Sequence, residues 1–428
     1  MCIIHNGGII IQLVDGNQMT ELSVSTGALA GLRVLDATQM LAGPLAATRL
    51  GDLGADVIKI EPPGKGEFNR NFGFENIRVH GEMSTFLAVN RNKRSLAIDL
   101  KNPESTPIID DLVRNSDVFL QNFRHGTAAR LGVGYQRLHE VNPNLVYCSI
   151  SGYGSSGPYR DRPGQDLVVQ GYSGSMFSVG SADDPPGPGA LWAADVMTGY
   201  QAVIGILAAV HARDVIGEGQ HVEIDMLSVV LDAQLQEIVT FLNSGRQPTR
   251  SAEPSAHASI PAPYGVYRTS DSWLTLAMTP LPKLGDVLDD DWLRSLADPA
   301  YGYVHRDEVF RHIQRRFLDR TTAEWIEACD RANVWAGPVY DYVALAADPH
   351  VNETGMLVEQ PYGAVGQIVR TVRPPLRMSA TPPEIRRGAP QLGADTAAIL
   401  GDLGYSDETL QRLIKSGAIA VRQADAPL

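Results

Sequence analysis

From Leu32 onward, short apolar runs alternate with segments of helical spacing, and this rhythm restricts the chain to a few architectures. Leu32-Arg33-Val34-Leu35-Asp36 has the length of a buried strand, residues 44–53 carry helical spacing that stops at Gly54, and 56–61 (DVIKIE) is strand-like again. The alternation continues with 95–99, a helix over about 103–115 with Pro103 near its start, 118–122, a helix near 127–138, and 145–150. Strands and helices in this order predict an α/β fold: a doubly wound, parallel, Rossmann-like sheet whose ligands sit at the carboxyl ends of its strands. Residues 196–213 are apolar on nearly every face, which predicts a buried helix, and 219–226 reads as a further strand.

Residues 151–190 are rich in Gly, Pro and Ser, the composition of loops on which sites are built. The polar, Pro-containing stretch 244–262 marks a boundary. Beyond it, 264–278 reads as a hairpin and 306–333 as an amphipathic helical segment, together a smaller α+β domain. The expected layout is an extension over 1–27, a large domain over 28–225, a linker over 226–254, the small domain over 255–335, and a further linker with the C-terminal tail over 336–428.

Composition narrows the partners. With 36 Lys and Arg against 49 Asp and Glu the net charge is −13, which argues against nucleic acid or an anionic membrane surface. No apolar run is expected to reach the roughly 18 residues a membrane span requires. Cys2, Cys148 and Cys329 lie far apart, without metal-ligand spacing, so no disulfide framework or zinc site is expected and the reducing cytoplasm is the expected compartment.

Gly152-Tyr153-Gly154-Ser155-Ser156-Gly157 has the GxGxxG spacing of a dinucleotide loop, but Pro158 and Pro163 prevent the helix that such a loop must open. Segment 91–130 carries seven basic residues (Arg91, Lys93, Arg94, Lys101, Arg114, Arg124, Arg130) against five acidic ones. A phosphate-bearing ligand needs such a cluster, although a solvated helix face has the same composition. Asp195, at the start of the apolar helix, suits either a helix cap or a nucleophilic carboxylate beside the Gly-rich loop. Gly199, one turn on, allows close approach of a backbone or a ligand. Asp166 is a second acid in the loop region, fit to orient a substrate, to act as a base or to cap a helix. His125, His211, His221 and His257 have no metal spacing, and neither a Gly-x-Ser-x-Gly elbow nor a phosphate-cradling Walker loop occurs.

Taken in order, the strings 31–61, 90–104 (NRNKRSLAIDLKNPE), 121–132 (QNFRHGTAARLG), 149–166 (SISGYGSSGPYRDRPGQD), 195–226 and 386–405 resemble those of the class III CoA-transferases, a family that includes formyl-CoA transferase, carnitine CoA-transferase and the α-methylacyl-CoA racemases. The resemblance runs from about residue 30 to 425. It implies an enzyme that moves coenzyme A from an acyl-CoA thioester to a free carboxylic acid, with no permanently bound cofactor. It also implies an interlocked homodimer, in which the C-terminal tail returns to the large domain. By position, the resemblance makes Asp195 the nucleophile, passing through an aspartyl anhydride and an aspartyl-CoA thioester. It assigns Met40 and Leu41 to backbone contacts with the nucleotide, and Lys101, Asn122, Phe123 and Arg130 to the adenine, ribose and phosphates, with Arg91 and Lys93 as further phosphate candidates. Two departures stand out: Pro62-Pro63 follows the Lys-Ile-Glu strand where some transferases have an arginine, and no glycine lies between Gly245 and Gly265 to form a glycine-rich lid, so formate and oxalate are not favoured substrates. The racemases carry a histidine where this chain has Gln165, which cannot exchange an α-proton. A transferase is therefore expected over a racemase, and a non-catalytic CoA-binding paralogue is the alternative from a different class.

Overall fold

The computed structural model describes residues 2–5, 8–11, 27–253, 257–363 and 367–422, the two shortest stretches as backbone alone. Apart from that backbone and Gly27, the expected extension lies outside the described residues. The chain divides into two compact units: one takes in residues 1–165, 194–229 and 352–428, the other 166–193 and 230–351.

The first unit is built on a seven-stranded sheet. Its strands are β1 (Arg33–Ala37), β2 (Asp56–Glu61), β3 (Lys93–Ile98), β4 (Val118–Gln121), β5 (Val146–Ser151), β6 (His221–Asp225) and β7 (Ile419–Ala420), in the order β6-β5-β4-β1-β2-β3-β7. All neighbours are parallel except β7, which runs antiparallel to β3. The first six strands have the doubly wound order in which the chain reverses direction between β1 and β4, and the crevice outside the carboxyl ends opens at that point. Both faces are covered, which explains the unbroken apolar runs. Leu35, Ile58, Phe119 and Tyr147 point into one core with Ile108 and Leu112, while their neighbours Val34, Val57, Val118 and Val146 point into the other with Leu50, Ala202 and Ile206. The C-terminal residues Ile399, Leu410, Leu413 and Ile419 fill the first of these cores.

Four segments differ from the sequence expectation. The helix expected near 127–138 is two pieces, Thr127–Arg130 and Tyr135–Val141, because Gly132 turns the chain with φ +71°. The long helix spans Ala193–Ile216 and is buried on one side only, through Ala202, Val203, Ile206 and Ala209; Met197, Tyr200 and Ile204 on its other side are exposed. By length and composition it is the one described helix that could cross a membrane, contrary to the expectation of none, although its buried side belongs to the core of the sheet. The expected linker 226–254 contains the helices Met226–Ala233 and Leu235–Ser244, and 336–392 contains the antiparallel pair Leu357–Pro361 and Ile368–Val372.

In the second unit the expected hairpin forms from Gly265–Arg268 and Trp273–Leu276, with Ala336–Pro338 as a third strand. The amphipathic segment becomes helices Arg306–Phe317 and Thr322–Arg331, separated by residues 318–321; the hydroxyl of Thr321 and Glu324 form a capping box at the start of the second. Tyr267, Leu274, Phe310, Ile313, Phe317 and Trp325 form its core. This unit also takes in residues 166–193 and 230–254, outside the small domain expected from sequence.

Candidate active site

At the reversal of the sheet, the loop after β1 and the loop after β4 are joined through one side chain. Asn122 Nδ2 donates to Gln39 O (2.8 Å) and its Oδ1 accepts from Gln39 N (3.0 Å). Gln121 Oε1 accepts from Phe123 N (2.7 Å), which sets the direction of the chain past β4. Beneath these loops lies a cavity of about 190 Å³, lined by Thr38, Gln39, Glu61, Glu67, Lys101 and Phe123, among others. Leu41 precedes the helix Ala42–Asp52, whose first turn has neither an acidic residue nor a side-chain cap. Such an end favours an anionic ligand.

The loop is held from below by a buried charge network. Asp36 accepts from Thr38 N (3.0 Å), Thr38 Oγ1 and Lys93 Nζ (2.8 Å), while Lys59 Nζ donates to Thr38 O (3.0 Å) and lies 3.7 Å from both Asp36 and Glu67. Glu67 Oε2 accepts from Met40 N (3.1 Å), and Asn69 Nδ2 donates to Met40 O (2.6 Å), which fixes Met40 at φ +71°. That left-handed conformation is uncommon for a residue with a side chain, so the loop depends on these two bonds. Burial alone would raise the Asp36 carboxyl; the ammonium groups of Lys59 and Lys93 outweigh it and hold the group below its ordinary range. Burial, aided by the charge of Lys59, lowers the Lys93 ammonium to about 8 against the pull of Asp36.

The Gly-rich loop follows β5. Gly152 and Gly164 cross backbone to backbone: a Cβ on Gly152 would lie 2.6 Å from the Gly164 Cα, and one on Gly164 2.4 Å from the Gly152 Cα. Glycine is required at both for this reason, and no helix opens at Gly157; the next begins at Asp166. Gln165 is exposed, whereas Asp166 is buried in the first turn of the helix Asp166–Ser173, where its Oδ2 accepts from Gln170 Nε2 (2.5 Å). Asp195 lies in the first turn of the 193–216 helix, half-buried, and so sits inside the helix that the sequence places after it. Asp166 belongs to the second unit and Asp195 to the first.

An open cleft at the carboxyl edge, a Gly-rich loop and a carboxylate at a helix start reproduce the ordered motifs in three dimensions. The family model for CoA-transferase family III matches residues 29–396. The chain belongs to that family. It is 36% identical over 408 residues to the succinate–glutarate CoA-transferase of Agrobacterium fabrum, spanning 92% of this chain and 99% of that protein. It is 32% identical over 399 residues to the succinyl-CoA:glutarate CoA-transferase of Homo sapiens, spanning 91% and 90% respectively. Among solved structures, a CaiB/BaiF family protein from Brucella suis matches with a TM-score of 0.77 at 30% identity, over 88% of this chain and 99% of that one. The protein is thus a transferase enzyme of a family whose substrates are coenzyme A thioesters.

In this transferase the residues expected to hold coenzyme A fall into two groups. Lys101 and Phe123 line the carboxyl-edge cavity, Met40, Leu41 and Asn122 shape the loops at its rim, and Arg130 is an exposed residue next to the cavity-lining Leu131. Two of these do less than the sequence implied: the Met40 N–H is taken by Glu67 and the Asn122 amide by Gln39, so both act by holding the loop. Arg91 and Lys93 depart from expectation altogether. Arg91 is 2% exposed, in a two-pronged pair with Asp52 (2.8 Å each) and with its third arm on Val372 O (2.7 Å). Lys93 is fully buried, and its three donors go to Asp36, Pro44 O and Asn90. Both are interior braces: Lys93 has no donor left for a phosphate, and Arg91 is buried out of reach of one. Sequence reasoning missed Thr38, Glu67 and Asn69, polar loop residues without periodicity whose role depends on where Met40 turns.

Proposed function

We propose that this transferase moves coenzyme A from a dicarboxylic acyl-CoA, such as succinyl-CoA, to a second small dicarboxylate, such as glutarate, with Asp195 as the nucleophile. The observation that carries the reading is a carboxylate in the first turn of a 24-residue helix, in a chain matched along most of its length to CoA-transferases. The positive end of that helix favours the negative charge that the first attack requires. An Asp195 oxygen attacks the thioester carbonyl, the C–S bond breaks, and CoA leaves as the thiolate, giving a mixed anhydride. The thiolate then attacks the Asp195 carbonyl and expels the donor acid as its carboxylate, leaving an aspartyl-CoA thioester. The acceptor carboxylate repeats both steps in reverse and regenerates Asp195. Each step exchanges one acyl bond for another and consumes no proton.

Lys101, and Arg130 beside the cavity, supply positive charge for the phosphates of coenzyme A, and Phe123 supplies apolar surface for its base. Asp166 orients the reacting carboxyl groups, and Gln165, unable to carry a proton, supports acyl exchange over racemisation. The unpaired thiols of Cys148 and Cys329 agree with a reducing, cytoplasmic setting, and the working form, as the family resemblance implies, is a homodimer. The test is incubation with succinyl-CoA and glutarate. Glutaryl-CoA should form, hydroxylamine should trap an enzyme thioester, and Asp195→Ala should abolish both. Exchange surviving in that variant would sink the covalent mechanism, and α-deuterium uptake from a 2-methylacyl-CoA in deuterated water without any acceptor would favour a racemase.

A further inference from the structure

We infer that Gln170 is a positioning residue for this exchange: one side-chain amide holds the Asp166 carboxylate and pins the segment that leads into the helix of Asp195. The inference rests on the reading of Asp195 as nucleophile. Gln170 is buried on the helix Asp166–Ser173, one turn after Asp166. Its Nε2 donates to Asp166 Oδ2 (2.5 Å), and its Oε1 accepts from Gly189 N (3.1 Å). The Gln170 carbonyl in turn accepts from Ser173 Oγ (2.8 Å) and Ser175 Oγ (3.3 Å), which anchors the end of this helix.

Gly189 lies in Pro185-Pro186-Gly187-Pro188-Gly189, a stretch with neither helix nor strand, six residues before Asp195. Three prolines remove backbone donors from it, so a side chain from elsewhere must supply its fixed points. With both Gln170 and Asp166 almost fully buried, water cannot replace the bond between them, whereas the bond to Gly189 ties an exposed stretch of chain to that buried pair. The task demands one acceptor and one donor on the same short side chain, which an amide offers and an ionised carboxylate does not.

That difference gives the test. In Gln170→Glu an ionised carboxylate would face Asp166 and repel it; once protonated, it would again donate to Asp166 through its O–H and accept from Gly189. A carboxyl introduced in a buried place against another carboxylate takes up its proton at a raised pH. The turnover of Gln170→Glu, divided by that of wild type at the same pH, should therefore be down roughly 10- to 100-fold at pH 8 and recover as the pH falls toward 6. Gln170→Leu, of similar size without polar atoms, should stay depressed at every pH with its KM for acyl-CoA little changed. A ratio for Gln170→Glu that does not change with pH overturns the inference, as does wild-type turnover in Gln170→Leu. Should the leucine variant fail to fold, the pH course of the glutamate variant alone decides. Exchange retained by Asp195→Asn overturns the nucleophile reading and this inference with it. An inactive Asp195→Asn combined with a flat Gln170→Glu ratio overturns the inference alone.

Discussion

Gly199 occupies a place where one added carbon has no room. A Cβ there would meet Ala42 O at 2.8 Å and Leu45 Cδ2 at 3.2 Å, so the 193–216 helix touches the start of the 42–52 helix through bare backbone. Gly199→Ala should cost about 1–3 kcal/mol in urea unfolding and Gly199→Val more, because the wall it meets is a carbonyl group that cannot rotate away. Arg91 and Lys101 make a sharper contrast. Removing Arg91 leaves the buried Asp52 with only Arg49 and Asn92 as partners, so Arg91→Met should lower stability by about 1–3 kcal/mol. The folded fraction should keep a wild-type KM for acyl-CoA. Lys101→Ala should do the reverse: no change in melting temperature, a KM raised several-fold, and a weaker rise of KM with salt than wild type shows. A string such as NRNKR states charge but not burial; what neutralises Arg91 is Asp52, 39 positions earlier, and only the fold brings the two together.

At the scale of elements, periodicity located the strands because both faces of the sheet are buried and each strand is an apolar run closed by a Gly or polar residue. It failed at two kinds of place. The 127–138 segment has helical spacing throughout, yet Gly132 breaks it, and the 226–244 helices were hidden by a boundary placed from the polar stretch that follows them. The carboxylates that lie among the strands set a testable acid limit. Burial would raise both Asp36 on β1 and Glu61 on β2. The ammonium groups of Lys59 and Lys93 reverse this for Asp36; for Glu61 the hydrogen bonds and charge of Arg70, helped by Lys59, do the same, so both groups lie below their model-peptide values. In the acid range the unfolded chain then binds more protons than the folded one, and stability rises with pH there. Their contribution should be present in full above about pH 5 and lost progressively as the pH falls through the ordinary carboxylate range near 4 and down to the depressed folded values. Chemical denaturation at a series of pH values checks this. A folding free energy that stays level from pH 6 to pH 3 would contradict the assigned ion pairs.

For the whole molecule the outstanding fact is how much apolar surface one chain leaves uncovered. Met197, Tyr200 and Ile204 form a stripe on the long helix, Leu235 and Leu242 stand out on the helix Leu235–Ser244, and Tyr342 and Val343 are 90% and 78% exposed at the start of another. Single exposed apolar residues are ordinary, but a stripe along one helix together with exposed apolar residues on two others is the kind of surface that the proposed second copy would cover. The chain also leaves the first unit after residue 165 and again after 229, and returns at 194 and 352. The family resemblance implies that two such copies interlock. The expected species in sedimentation equilibrium is a dimer of roughly 93 kDa, twice the 46.3 kDa of one chain. If the copies are interlocked, dilution to nanomolar concentration should not release monomers, because separation requires unfolding. Thermal unfolding should begin at the same temperature as loss of the dimer. Charged replacements at Tyr342 and Val343 should lower that temperature if the partner covers them. A 46 kDa species that is folded and active at all concentrations would mean that the exposed stripes serve some other surface and that one chain suffices for exchange.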